Sequence, residues 1–192
     1  MSRMGPRQQL PLGLTPRLSI DQLLWVANTR HGPGGHWFAR VTVDTGDHDH
    51  LLAPEDAVDY LDRHHVPVPA VSPSPTQLDR LGAIREMIRA LPGGGQPWSP
   101  EVMAFLQATR FVADADGGLR ADGEGWDGFI GDLLLPLLQL VEVRERVRLC
   151  GNPHCRLIFV DVSRNRSRRW CDSAGCGNRD RVRRYRGAAP QA

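Results

Sequence analysis

The sequence predicts a mainly helical α+β fold: a helical N-terminal domain with a small β element, followed by a short C-terminal module held by cysteines. Apolar residues in the first three quarters of the chain recur at three- and four-residue spacing, as in helices that bury one face. Residues 36–44 alternate polar and apolar side chains, which is typical of a strand. All four cysteines follow position 149. We therefore expect two domains, at residues 18–143 and 144–187.

The first 65 residues predict two helices around the β element. Residues 1–17 are rich in Pro, Gly and Gln and are expected to form a loose arm. Ser19 is a suitable N-cap for a helix that ends near Asn28. After the strand at 36–44, Leu51-Leu52 is expected to form a short partner strand. Pro54 then favours the first turn of a second helix, which reaches about His64.

Proline and glycine divide the middle of the chain. Residues 67–75 contain four prolines and predict a connector, after which Thr76 is expected to cap a helix that ends near Leu91. A second break at 92–97 precedes Ser99, which is expected to cap the next helix.

Residues 114–128 contain five glycines and five acidic residues, but not the fixed carboxylate spacing of a calcium loop. They favour an exposed turn, with a possible hairpin at Gly117-Gly118. From residue 129 the apolar pattern predicts one long helix to about 148, with Pro136 kinking it or lying near its start.

The four cysteines form two C-x4-C pairs separated by 15 residues: Cys150, Cys155, Cys171 and Cys176. Two close pairs joined by a longer loop are typical of tetrahedral zinc. Four thiolates leave no coordination position open, so the pattern predicts one structural Zn²⁺. Disulfides are disfavoured because the chain shows no secretory signature.

The cysteine module contains too few apolar residues for a core of its own. Zinc would supply most of its folding free energy, on the order of 10–16 kcal/mol in small peptides at neutral pH. We expect a treble-clef-like zinc finger with four cysteine ligands, with a knuckle at 150–155, a strand at 157–161 and a polar turn at 163–167. A return strand is expected to lead into Trp170, and a helix to run from Cys176 to about residue 186. Residues 18–143 are expected to fold without it.

The sequence Cys176-Gly177-Asn178-Arg179 spells CGNR, and S-R-N-R-S-R-R-W-C precedes it. This segment closely resembles the CGNR zinc-finger family, whose members carry the finger behind an ABATE-type N-terminal domain and are regarded as bacterial transcription regulators. Asn28-Thr29 matches an Asn-Thr pair common in that domain. The resemblance implies a regulator whose N-terminal domain senses a small-molecule effector or mediates assembly.

Charge is distributed unevenly along the chain. Residues 1–143 contain 11 Arg against 18 Asp and Glu, a net charge of −7, whereas residues 144–192 contain 13 Arg against 4 acids, a net charge of +9. A basic module on an acidic body indicates a polyanionic partner. The residues expected to contact nucleic acid are Arg164, Arg166, Arg168, Arg169, Asn178, Arg179, Arg181, Arg183, Arg184 and Arg186. For Asn178 the sequence leaves two roles open, support of the zinc knuckle, which we favour slightly, and contact with a base. Val182 and Tyr185 are expected to pack on the finger.

The preferred function is DNA binding. The alternatives are RNA or ribosome binding, and docking of the finger on an acidic protein surface. The chain contains no nucleophile elbow, P-loop, dinucleotide fingerprint or zinc-protease motif, so we predict a non-enzyme. Residues 47–50 have the composition of a metal site but are expected to form a solvated turn. The longest apolar run is too short for a membrane span, and a cytoplasmic location is expected.

Overall fold

Helices form most of the regular structure in the computed structural model, which describes residues 15–32, 48–94, 98–115 and 117–188. The helices are α1 (Ile20–Ala27), α2 (Pro54–Arg63), α3 (Pro75–Ala90), α4 (Pro100–Ala108), α5 (Gly125–Asp132), α6 (Leu134–Glu142) and α7 (Asn178–Ala188). The strands are β1 (Thr15–Pro16), β2 (Arg30–His31), β3 (His48–Asp49), β4 (Phe111–Ala113), β5 (Gly118–Ala121), β6 (Val147–Leu149) and β7 (Ile158–Val160). The mainly helical α+β fold class is confirmed.

The strands of the described residues form three small sheets. In the first, β5 lies between β4, which is antiparallel to it, and β1, which is parallel. The second sheet pairs β2 with β3, and the third pairs β6 with β7, both antiparallel. Strand β7 contacts α1, so the third sheet lies against the helical body.

Helix starts follow the sequence signals closely. Ser19 and Gln22 form a capping box that satisfies amide groups at the start of α1. Ser99 caps α4, with Pro100 as the first helical residue. The cap predicted for α3 is wrong by two residues, since Ser74 rather than Thr76 accepts the amide of Gln77. Pro75 then occupies the first helical position, where its missing N–H costs nothing.

Three predicted segments are corrected. The helix predicted over 129–148 is two helices, α5 and α6, and the chain then passes through a 3-10 turn into β6. Pro136 lies in the first turn of α6, where it needs no helical partner. The strand predicted at Leu51-Leu52 is instead β3, three residues earlier, and Leu52 is exposed. The arm predicted over 1–17 is corrected at its end, where Thr15–Pro16 pairs with β5; residues 1–14 lie outside the described residues.

Of three further predicted β features, one is confirmed, one is present with a different partner, and one lies outside the described residues. The hairpin at Gly117-Gly118 is confirmed, since β4 and β5 pair across it. The strand predicted at 157–161 is present as β7, but its partner is β6 and not a return strand near Trp170. The strand predicted at 36–44 lies outside the described residues.

Helices α1 to α6 and the third sheet share one buried cluster. Val147, Ile158 and Val160 lie in the same cluster as Leu23, from α1, and the apolar residues of α6. A smaller cluster contains the cysteines with Leu157 and Phe159. The boundary predicted between residues 143 and 144 stays a prediction. Strands β6 and β7, which follow this boundary in the chain, pack on the helices that precede it.

Candidate metal centre and nucleic-acid interface

Four thiols converge at the end of the third sheet. Cys150 directly follows β6, Cys155 lies in the turn before β7, and Cys176 lies in the π turn Ser173–Gly177 before α7. All four Sγ atoms, including that of Cys171, lie within 4.8 Å of one another. The Cys155–Cys171 and Cys171–Cys176 sulfur separations are 3.6 and 3.8 Å.

These separations match a zinc ion. Tetrahedral geometry with zinc–sulfur bonds of about 2.3 Å places neighbouring sulfurs about 3.8 Å apart. Hydrogen bonding within the cluster lowers the pKa of Cys150 and raises the pKa of Cys155 and of Cys171. The donor set fits one structural Zn²⁺, which would be held by Cys150, Cys155, Cys171 and Cys176, as the spacing predicts.

Asn152 supports the first cysteine turn. No pattern in the sequence predicts this role. Its side chain is buried, and its Nδ2 donates to Cys176 Sγ at 3.5 Å while its Oδ1 accepts the amide of His154 at 3.2 Å. Its carbonyl accepts the amide of Cys155 at 2.9 Å. Asn152 thus links the two cysteine turns around the metal position, as a supporting residue does in many metal sites.

Trp170 packs between two glycines, which explains the glycine of the CGNR sequence. A Cβ at Gly151 would lie 3.0 Å from Trp170 Cζ3, and a Cβ at Gly177 would lie 3.1 Å from Trp170 Cδ1. Either side chain would push the indole from its place beside the cysteines. Gly177 therefore serves packing inside the finger.

Asp161 organises the arginine-rich loop that follows β7. It is fully buried, and its carboxylate accepts the amide of Ser163 at 2.8 Å and that of Arg168 at 2.9 Å. Arg146 Nη1 donates to the carbonyl oxygens of Asp161 and Ser163. The loop between these contacts is therefore anchored at both ends.

Most of the predicted nucleic-acid residues are exposed. They lie in this loop or on α7: Arg164, Arg166, Arg169, Asn178, Arg179, Arg181, Arg183, Arg184 and Arg186. Arg168 differs, because its guanidinium donates to the carbonyl oxygens of Trp170 and Cys171 and lies over the Phe159 ring. Arg168 thus has a structural position.

Two further features of α7 differ from expectation. Val182 and Tyr185 do not pack on the finger; they are 39% and 81% exposed. Asp180 is buried instead, and its carboxylate pairs with Arg183 at 2.6 Å and with Arg184 at 3.0 Å. Helix α7 therefore presents arginines together with an exposed aromatic ring, and two of those arginines are held by Asp180.

A second group of titratable side chains lies in the helical body. His31, His50 and His64 lie around Tyr60, and His48 lies beside His31 and His50. The His64 ring stacks on Trp25 with ring centroids 3.6 Å apart. Burial is the main cause that lowers the pKa of His50 and of His64 to about 4, with nearby charges on other histidines and on Arg63 adding to it. The turn predicted at 47–50 includes strand β3; Asp47 lies outside the described residues.

These lowered values predict acid sensitivity. Because the folded protein holds His64 neutral, the unfolded chain binds its proton first as pH falls below about 6.5. Stability should therefore be retained above pH 6.5 and decrease between pH 6.5 and 4. Melting temperatures measured across this range should fall less steeply for His64→Gln than for the unchanged protein. The exposed neighbour His65→Asn serves as control, and an unchanged slope in His64→Gln would contradict the assignment.

Two family profiles match the chain. The ABATE profile, described as "Putative stress-induced transcription regulator", matches residues 24–135, and the CGNR zinc finger matches residues 146–188. No curated protein matches the chain. Within the described residues, no helix is both long enough and apolar enough to cross a membrane.

Proposed function

The chain belongs to the ABATE family of transcription regulators and carries a CGNR zinc finger, and from this premise we propose that it binds duplex DNA through helix α7 and the loop after β7. The observation that supports this most strongly is the run of exposed arginines on one small, zinc-organised module. The N-terminal part would sense an effector and transmit its state to the finger.

Charge and architecture both support a DNA partner. Exposed arginines repel one another at close range unless a polyanion neutralises them, and guanidinium groups bind phosphate oxygens and guanine edges. A helix of the size of α7 fits the major groove of B-DNA. Asp180 forms ion pairs with Arg183 and Arg184 and so restricts their side-chain rotamers. Less side-chain entropy is then lost when these arginines bind DNA.

Asn178 and Arg179 are the residues that we assign to base contact. Both are exposed at the start of α7. The amide that contacts a cysteine sulfur is Asn152, so the knuckle does not depend on Asn178 for that contact. Asn178→Ala should therefore leave zinc content and melting temperature unchanged. It should weaken binding by about 1–3 kcal/mol, and only on the preferred sequence.

A salt titration tests the proposal. If the finger neutralises about five phosphates, log affinity should fall with log salt at a slope near −4.5, which is roughly a 500-fold loss between about 50 and 200 mM. Arg181→Ala or Arg186→Ala should weaken binding to all sequences and reduce the slope by about one. Arg110→Ala, an exposed arginine in the helical body, should change neither. Absent or salt-independent binding to DNA would overturn the proposal.

RNA binding is the second candidate, and the exposed ring of Tyr185 is the observation that favours it. Aromatic side chains beside arginines stack on unpaired bases, which duplex DNA does not offer. Competition between duplex DNA and structured RNA at matched salt separates the two. Preference for RNA that is lost in Tyr185→Ala would replace DNA by RNA as the partner.

A further inference from the structure

Three histidine rings meet where β2 and β3 pair. His31 lies opposite His48 in the strand register, and His50 follows one residue after β3. The ring centroid of His31 lies 5.3 Å from that of His48 and 5.4 Å from that of His50, and the remaining side of the triangle is 6.1 Å. Imidazoles that share one tetrahedral metal ion have centroids about 5 Å apart, from metal–nitrogen bonds of about 2.0–2.1 Å.

Two nitrogens already have the separation of metal ligands. His31 Nε2 and His50 Nε2 are 3.3 Å apart. Without an ion, the same contact is a hydrogen bond between the two rings, which a metal would replace. The distance between the two nitrogens equals the separation of about 3.3 Å expected for two nitrogens bound tetrahedrally to one ion.

The tautomer of His31 is set by its neighbour. His31 is 1% exposed, and its Nδ1 lies 2.8 Å from the carbonyl oxygen of Gly32, a contact that requires the proton on Nδ1. The Nε2 lone pair then faces His50. A histidine that donates one ring N–H to a backbone carbonyl and offers the other nitrogen is the usual arrangement of a metal-ligating histidine.

The positions of the other two rings suit metal binding as well. His48 and His50 are both half-buried, so an ion can reach them from solvent. Asp49 is not among the proposed ligands: its Oδ1 accepts bonds from Arg85 Nη1 and the amide of Leu51, which hold the carboxylate toward Arg85.

We propose that His31, His48 and His50 bind one divalent transition-metal ion, of the zinc, nickel or cobalt type, at a site separate from the four cysteines. Within the described residues, only the cysteines have every ligand atom within 4.8 Å of the others. His48 therefore becomes a ligand by turning its ring toward the His31–His50 pair, and water completes the shell. Neutral imidazole ligands favour these ions over magnesium or calcium.

The backbone connects this site to the finger. The residue after His31 is Gly32, whose amide donates to the carbonyl oxygen of Cys155 at 3.0 Å. A Cβ at Gly32 would lie only 2.8 Å from the carbonyl oxygen of His154, so the two segments are in close contact. An ion that fixes the His31 ring therefore also fixes the peptide against the first cysteine turn. The metal site would thus be the effector site of the N-terminal part, and its regulatory role rests on the function proposed above.

Metal binding is measured first without nucleic acid, so its failure is distinct from a failure of DNA binding. Full-length protein with zinc at the cysteines is titrated with Co²⁺, and the visible d–d bands and the bound-metal stoichiometry are recorded. We expect a second ion per chain, without the sulfur-to-cobalt charge-transfer band that a cysteine site would give. His50→Gln and His48→Gln, both at partly exposed positions, should each weaken it at least tenfold.

The control is His65→Asn, an exposed histidine on the same part of the body, which should bind the second ion like the unchanged protein. Absence of a second ion would overturn the proposal, as would equal affinity in His50→Gln and His65→Asn. Adding Ni²⁺ should change DNA affinity about 5-fold or more in the unchanged protein and not in His50→Gln. Equal DNA affinity with and without the bound ion would overturn the connection to the finger.

Discussion

Replacing Cys155 by serine should reduce zinc from about one ion per chain to a small fraction and unfold the segment from Cys150 to α7. Structural zinc contributes on the order of 10–16 kcal/mol in small zinc peptides, far more than this segment can recover from its few apolar residues. The helical body should lose stability as well, because Val147, Ile158 and Val160 belong to its buried cluster. Chelation should have the same effect as the substitution.

Zinc analysis and thermal unfolding by circular dichroism test this result, with Ser173→Ala, an exposed serine in the turn before α7, as control. The shared cluster changes the expectation drawn from sequence that residues 18–143 are unaffected by zinc loss. An apo protein whose helical body melts at the temperature of the holo protein would restore that expectation. Full zinc occupancy in Cys171→Ser would show that the ligands are assigned wrongly.

Asn28→Ala should destabilise the protein by about 3 kcal/mol, because it removes two hydrogen bonds to a strand that is distant in sequence. The Asn28 Nδ2 donates to the carbonyl oxygen of Ile158 at 3.0 Å and its Oδ1 accepts the amide of Ile158, 130 residues away, at 2.7 Å. The side-chain amide thereby replaces a neighbouring strand at the outer edge of β7. Each backbone group left without a partner in this buried place costs about 1–3 kcal/mol.

Chemical denaturation measures this effect, and Asn165→Ala in the exposed loop after β7 is the matched control. Asn28→Asp retains the acceptor and loses the donor, so it should be destabilising at neutral pH, where the buried carboxylate would also carry charge. A change below about 1 kcal/mol in Asn28→Ala would mean that water replaces the amide, and that the body and the finger depend less on this contact.

The zinc ligands could be predicted from sequence because coordination depends on short spacings that the chain preserves in any fold. Helix starts could be predicted for the same reason, since a cap acts within three residues. The pairing of β6 with β7 could not be predicted from sequence. A continuous apolar run does not show whether its last residues continue a helix or form a strand.

The roles of Asn28 and Asn152 escaped prediction because a buried amide gives no periodic signal and its partners are distant in sequence. The resemblance marked Asn28-Thr29 as common in the family, but only the structure gives it a physical task. The exposure of Tyr185 was missed because helical periodicity places it beside Val182 without showing whether anything covers that face. Asp180, on the opposite side of the helix at 100° per residue, is the side chain that is buried.

Helix α7 begins two residues after the last cysteine, and this fixes the rotational phase of its arginines relative to the metal. Each residue added between Cys176 and Arg179 would turn the basic side chains by about 100° around the helix axis and move them by about 1.5 Å along it. Insertions in the exposed loop after β7 do not change that phase. Insertions and deletions should therefore be tolerated in the loop after β7 and at the end of α7. Between the zinc ligand Cys176 and the first turn of α7 they should abolish function.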